Sequence, residues 1–252
     1  MLSAERKIKI AEVVKKNGGI KTSDLSSMFN VSEMTILRDL CALEGEGFLK
    51  RVYGGAVKMS HSANEISTGI RKQINPEKKN IIAAKAALLI NKGESIFFDS
   101  STTTQALARR ISGECGITVI TNSIDILNIL KENNDIRKIC CGGELQEITG
   151  SFVGPLAENF LKDFFADMAF ISASGFSLKA GITVENPVQA SVKKIMFDNS
   201  IKKVVLADST KFDNISLSKV CPVSYADTIV TDCKPPENYM EFFKQNSIEA
   251  VY

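Results

Sequence analysis

Val31-Ser32-Glu33-Met34-Thr35-Ile36-Leu37-Arg38-Asp39-Leu40 decides the fold of the first part of this chain. Ser32 is a good helix N-cap, with a hydroxyl able to accept an orphan backbone N–H of the first turn. Ile36, Leu40 and Leu43 then fall at i, i+4 and i+7, which stacks them on one helix face. The 3.6-residue period sends Met34 and Arg38 almost the opposite way, with Thr35 and Leu37 on the flanks. Gly47 follows, then an apolar and basic strand Phe48-Leu49-Lys50-Arg51-Val52, a turn at Gly54-Gly55, and Ala56-Val57-Lys58. A helix with an outward arginine and a small basic hairpin behind it is the layout of a winged helix-turn-helix.

The residues upstream complete the module. Residues 3–17 read as a first helix, with Ser3 as its cap and Ile10, Val13 and Val14 as its apolar stripe. Asn17-Gly18-Gly19 supplies the C-terminal glycine. Thr22 is expected to cap a second helix that carries Leu25, Met28 and Phe29 inward, and Asn30-Val31 is the turn before Ser32. In such a pair the first helix abuts the phosphate backbone and the second enters a groove of double-stranded DNA. Lys21, Thr22 and Ser23 are therefore candidate phosphate contacts, although capping and solvation account for them equally well. Ser32, Met34, Thr35, Leu37 and Arg38 on the second helix, and Lys50, Arg51 and Tyr53 on the hairpin, are the candidate groove contacts.

The chain has 252 residues and 44% hydrophobic content, room for a small domain and a larger soluble one. The net charge of +2 is unevenly placed: residues 1–60 hold 10 basic against 7 acidic residues, the remainder 21 against 22. The basic excess belongs to the DNA-reading module. No apolar run reaches the ~20 residues of a membrane span, and Met1-Leu2-Ser3-Ala4-Glu5-Arg6-Lys7 lacks a secretory apolar region. A cytoplasmic protein with no membrane partner is expected. Cys41, Cys115, Cys140, Cys141, Cys221 and Cys233 contain no CxxC pair, and the single histidine, His61, has no ligand-spaced companion. No metal site and no Cys-His or Ser-His-Asp catalytic group is expected.

From Met59 to Asn75 the periodicity lapses into a polar linker that includes Ser60-His61-Ser62-Ala63-Asn64. Pro76 suits the first position of a new helix, and Ile81, Ile82, Ala84, Leu88 and Leu89 make that helix apolar. Beyond it, strand-like runs alternate with helical segments. The runs are 95–98, 117–120, 137–140, 168–171, 203–206, 228–230 and 248–251; the helices lie near 103–111, 123–132, 156–164 and 187–199. Near-continuous apolar strands separated by helices predict an α/β domain with a mainly parallel sheet covered on both faces.

Ligands in such sheets bind beyond the carboxyl ends of the strands. After the first strand comes Asp99-Ser100-Ser101-Thr102-Thr103-Thr104, five hydroxyls opening a helix, a combination that can cradle a phosphate without a lysine. The second strand ends in Thr121-Asn122-Ser123, the third in Gly142-Gly143-Glu144, and the one at 203–206 in Ala207-Asp208-Ser209-Thr210-Lys211. Each feature alone is weak, since hydroxyls at a helix start are usually caps and paired glycines usually turns. On one rim they favour a small anionic ligand, with Lys211 as its cation.

The run Val31-Ser32-x-x-Thr35-Ile36-x-Arg38-Asp39-Leu40, then Leu43-Glu44, Gly47, Arg51 and Gly54-Gly55-Ala56, resembles the DeoR family of bacterial sugar-metabolism repressors. The likeness continues through Asp99-Ser100-Ser101-Thr102-Thr103, Gly142-Gly143, Gly175, Gly181-Ile182-Thr183 and Asp208-Ser209-Thr210-Lys211, and so covers nearly the whole chain. It implies a DNA-binding domain over 3–58, a linker over 59–75, and an effector-sensing and oligomerisation domain over 76–252. That domain is similar to ribose-5-phosphate isomerase but senses a phosphorylated sugar or polyol rather than converting it. A homo-oligomer, dimer or tetramer, without a cofactor is implied. Two positions depart from the family. Leu37 stands where an arginine is usual, and can meet a thymine methyl or be neutral. Ser101 stands where a glycine is usual, at a cost of about 1–2 kcal/mol if that position needs left-handed backbone.

Three functions compete: a sugar-phosphate-responsive repressor, which the resemblance favours; an active isomerase with a DNA-binding head; and a constitutive DNA binder with a defunct sensor. The second needs a positioned base, for which Glu185 is the available carboxylate and Lys211 the available acid. The third rests on Ser101 alone.

Overall fold

The computed structural model describes residues 3–45, 49–58, 67–111 and 116–252. Gly47, Phe48, Cys115 and the linker stretch 59–66, with His61, lie outside the described residues. The chain divides into two compact units, Met1–Ile74 and Asn75–Tyr252.

In the first unit, α1 (Ser3–Asn17), β1 (Gly19–Lys21), α2 (Thr22–Phe29) and α3 (Glu33–Gly45) lead into β2 (Leu49–Val52) and β3 (Gly55–Lys58). The three strands form an antiparallel sheet in the order β1-β3-β2. Ile10, Val14, Leu25, Ile36, Leu40, Leu43, Leu49 and Ala56 are its core, so the α3 stripe points inward as its spacing requires. Asn30 adopts left-handed backbone (φ 50°) to end α2. Gly55 must be glycine, because a Cβ there would lie 2.3 Å from the Ile20 carbonyl oxygen. Three expectations are corrected. Ser3 lies inside α1 rather than before it. Thr22 does not cap α2: Lys21 holds that position without a side-chain bond, and Thr22 is buried with its hydroxyl unpartnered among the described residues. Met28 is 55% exposed rather than inward, since Leu25 and Phe29 already fill the short helix's inner face. The expected linker also contains a short helix, α4 (Thr68–Gln73).

The second unit begins with α5 (Pro76–Ala87), β4 (Ser95–Phe98), α6 (Thr102–Ala108), β5 (Thr118–Thr121), α7 (Ile124–Leu130) and β6 (Arg137–Cys140). A hairpin follows, β7 (Glu144–Gln146) and β8 (Ser151–Val153), then α8 (Pro155–Lys162) and β9 (Ala166–Ser172). The chain continues through β10 (Gly175–Ser177), β11 (Gly181–Val184), α9 (Pro187–Asp198), β12 (Ser200–Leu206), β13 (Ser218–Cys221), β14 (Thr228–Val230), α10 (Glu237–Gln245) and β15 (Glu249–Val251). The central sheet has seven strands in the order β15-β14-β12-β9-β4-β5-β6, every pair parallel. Successive residues serve opposite faces. Phe97, Ala169, Ile171 and Val205 join one core, while Ile96, Phe98, Phe170 and Val204 join the other. The β7-β8 hairpin and the antiparallel β10-β11-β13 sheet are additions that the simple alternation of strand and helix does not foretell.

Sheet order places the candidate ligand rim. From β4 the chain moves to β5 and β6 on one side; β9, β12, β14 and β15 extend the other way. The direction reverses between the neighbours β4 and β9, and in open parallel sheets ligands bind beyond the carboxyl ends at such a switch point.

Candidate effector site and DNA-reading surface

The loop leaving β4 is built around Asp99, which is 1% exposed. One carboxylate oxygen accepts the Ser101 N–H at 3.0 Å and the Thr104 hydroxyl. The other accepts the Ser172 N–H at 2.7 Å, at the end of β9, so Asp99 spans the switch point. The same oxygen pairs with the Lys193 ammonium, itself buried on α9. Burial pushes the Asp99 carboxyl up, but the Lys193 charge and the hydrogen bonds outweigh it, and the group sits below its ordinary value. Asp99 thus shapes the loop and faces a cation.

Ser101 is extended (φ −73°, ψ 155°) and caps α6, accepting the Thr104 N–H at 3.1 Å. The residue carries no left-handed strain. The serine in place of glycine therefore gives no reason to regard the loop as defective, and the constitutive-binder reading loses its support. Ser100 donates to Gln189 Oε1 at 3.4 Å. The hydroxyls of Thr102 and Thr103 have no partner among the described residues, although both residues are buried.

The other rim residues divide. Thr121 donates its hydroxyl to the Phe98 carbonyl at 2.7 Å and accepts the Ser123 N–H, so it straps β5 to β4. Asn122 donates to the Phe152 carbonyl at 3.0 Å, and Gln105 to Asp125 at 3.0 Å. Both partners are acceptors, which fixes the amide orientations. The oxygens Asn122 Oδ1 and Gln105 Oε1 are left buried without a donor among the described residues. Gly143 is left-handed (φ 132°), and a Cβ there would meet the Val153 carbonyl oxygen at 2.8 Å, so close packing against β8 accounts for it; Gly142 is unobstructed. Lys211 closes a 3-10 turn, Ser209–Lys211, after β12. No bond among the described residues joins it to the 99–104 loop. Glu185 is exposed and bonded to the Ser174 hydroxyl.

Two residues of α9 were not singled out from the sequence. Lys193 is the cation of the loop. Gln189, 4% exposed, joins Ser100 to the hairpin by donating to Gln146 Oε1 at 2.8 Å and Ser151 Oγ at 2.6 Å. A signal existed: polar residues at i and i+4 on the same helix turns as Ala190, Val192 and Met196 face a core, where they require partners.

In the first unit Lys21, Ser23, Ser32, Met34, Leu37, Arg38, Lys50, Arg51 and Tyr53 are exposed, Thr35 is half-buried and Thr22 is buried. Ser32 accepts the Thr35 N–H at 3.3 Å, the expected cap. Arg51 is not a free cation. Its Nε donates to Glu44 at 2.6 Å and its backbone N–H to the other carboxylate oxygen at 2.7 Å, which braces the root of β2 on α3. The Arg51 hydrogen bonds hold the Glu44 carboxyl below its usual range. Tyr53, at the hairpin tip, is fully exposed. Asp39, beside Arg38, turns inward and takes Arg6 Nε at 2.5 Å, clamping α3 to α1.

A helix-turn-helix with a β-hairpin, followed by a separate α/β unit with a polar switch-point loop, defines a two-domain transcriptional regulator. The DeoR-like helix-turn-helix domain matches residues 6–62 and the DeoR C terminal sensor domain residues 74–233. The chain belongs to the DeoR family of transcriptional regulators. It is 38% identical over 232 residues to the uncharacterized HTH-type transcriptional regulator YulB of Bacillus subtilis, covering 92% of this chain and 90% of that one. It is 35% identical to the lactose phosphotransferase system repressor of Lactococcus lactis, covering 94% of each. The glycerol-3-phosphate regulon repressor of Escherichia coli is 29% identical, over 99% of this chain and 98% of that one. Among solved structures, a D-ribose-5-phosphate isomerase in complex with phospho-erythronic acid is 18% identical, with a TM-score of 0.40 over 54% of each chain. The three sequence relatives are named as regulators or repressors, and this chain is a regulator, not an enzyme. No helix among the described residues is long and apolar enough to cross a membrane.

Proposed function

We propose that this regulator represses a carbohydrate-metabolism operon in the cytoplasm and responds to a phosphorylated sugar or polyol bound at the β4-β9 switch point. The observation that carries the reading is the loop Asp99–Thr104: its scaffold is satisfied through Asp99, Lys193 and Ser172, while the Thr102 and Thr103 hydroxyls are unengaged among the described residues. A phosphate at this loop would meet hydroxyl donors and first-turn N–H groups, with the Lys193 charge offsetting that of Asp99 beneath it. Asn122 Oδ1 and Gln105 Oε1 are acceptors suited to hydroxyl donors of a carbon chain. The names of the lactose and glycerol-3-phosphate repressors favour the same class of effector and the same sense of regulation. In this reading residues 3–58 bind operator DNA, 59–75 link, and 76–252 sense and assemble the oligomer, with Lys211 as an outer cation.

Calorimetry with matched phosphorylated and unphosphorylated sugars tests the proposal. The phosphorylated member should bind and release the operator. Thr102→Glu places a negative charge at the cradle and should abolish that response while operator binding persists. Equal binding of both sugars, with Thr102→Glu still responsive, would refute it.

A further inference from the structure

We infer that the outward face of α3 reads the C5-methyl groups of thymines in the operator half-site. The inference rests on the reading of α3 as the groove-entering helix and says what that helix selects. Ile36, Leu40 and Leu43 are 0–1% exposed and occupy the inner face. Met34, Leu37, Arg38 and Cys41, at i, i+3, i+4 and i+7, share the opposite face, and all four are exposed. Met34 is 62% exposed and Leu37 39%. A solvent-facing helix stripe is normally polar. Here Arg38 is the one cation of four, and no described residue of the first unit buries the stripe.

The surroundings identify the occupant. Lys21 and Lys50 stand exposed in the same module, with the exposed hydroxyls of Ser23 and Ser32, a complement to phosphates on either side of a groove. The inward-turned Asp39 is neutralised by Arg6, so its charge does not oppose a polyanion. The major groove admits a helix, and the apolar group its base edges present is the thymine methyl. Met34 and Leu37 have no donor to offer any other base edge, and would bury its polar atoms unpaired. Arg38 retains the bidentate geometry for guanine. The half-site therefore pairs a guanine read by Arg38 with thymines read by Leu37 and Met34.

The test uses the full chain. A preferred duplex is selected from random sequence, and each thymine is replaced in turn by deoxyuridine, which deletes only the methyl. At two or more half-site positions the replacement should weaken binding about fourfold, the worth of one buried methyl. Leu37→Ala should erase the sensitivity at one position and Met34→Ala at another, with the melting midpoint unchanged because both side chains are exposed. Tight binding to the selected duplex with every deoxyuridine neutral would overturn the inference while leaving DNA reading intact. So would sensitivity that survives both substitutions, or substitutions that alter only sedimentation, which would make the stripe a protein interface. Selection that yields no bound duplex would overturn the DNA reading itself.

Discussion

Asp99 and Lys193 form a buried pair whose worth lies in staying intact. Removing one partner leaves the other charge stranded in a low-dielectric interior, which costs about 3–5 kcal/mol. Asp99→Asn should lower stability by that order in chemical denaturation, and a change under 1 kcal/mol would show the pair to be unimportant. The pH dependence follows from the same contact. The folded value of Asp99 is depressed below the ~3.9 of an unfolded aspartate. Its stabilisation is therefore present above about pH 4 and is lost as pH falls through the folded value. Between pH 5 and pH 2 the wild-type melting midpoint should fall more steeply than that of Asp99→Asn; parallel curves would mean that other carboxylates govern acid unfolding.

At the scale of elements, the DNA module separates cations by their partners. Lys50 projects from β2 with no ion pair among the described residues, whereas Arg51 is committed to Glu44. Lys50→Ala should reduce the slope of log affinity against log salt by about 1 if it neutralises one phosphate. Arg51→Gln should change the slope less and loosen the hairpin instead, visible as faster amide exchange in β2. Equal slope changes would show that Arg51 leaves Glu44 for DNA. Arg38→Ala should cost about 1–3 kcal/mol on the selected duplex, concentrated at one base pair if Arg38 reads an edge. Equal binding by wild type and variant would remove Arg38 from the interface.

For the whole molecule, a single helix-turn-helix has little surface with which to hold one half-site, and protein symmetry usually joins two. The full chain should sediment as a dimer or tetramer at micromolar concentration, and a monomer there would count against the 76–252 unit as an assembly domain. The ammonium of Lys78, in the first turn of α5, pairs with Asp232 at 3.2 Å and reaches Ser209 in the Lys211 turn. The start of the second unit is thereby tied to the rim proposed to bind effector. Lys78→Met should leave operator affinity near wild type and weaken release by effector; an unchanged dose–response curve would remove that contact from the signal.

The sequence by itself determined whatever depends on neighbours a few residues apart. The α3 stripe, the Ser32 cap, the Gly54-Gly55 turn and the two-sided apolar strands all follow from local spacing. The hydroxyl loop after β4 was likewise legible, because a strand end followed by helix-capping residues is a local pattern. Tertiary structure alone decided what the polar side chains with distant partners do. Lys193 meets Asp99 across 94 residues, and Ser172 meets it across 73, only because β4 and β9 become neighbours at the sheet's reversal. Arg51 reads as a DNA cation until Glu44 is found beside it, and Ser101 reads as strained until its backbone proves extended. Gly143 looks like a ligand contact until the Val153 carbonyl is seen to exclude a Cβ. Periodicity is set by a repeat along the chain, whereas a charge or hydroxyl acts through whatever the fold brings within hydrogen-bond reach. That set of partners is fixed by strand order, which a one-dimensional pattern does not contain.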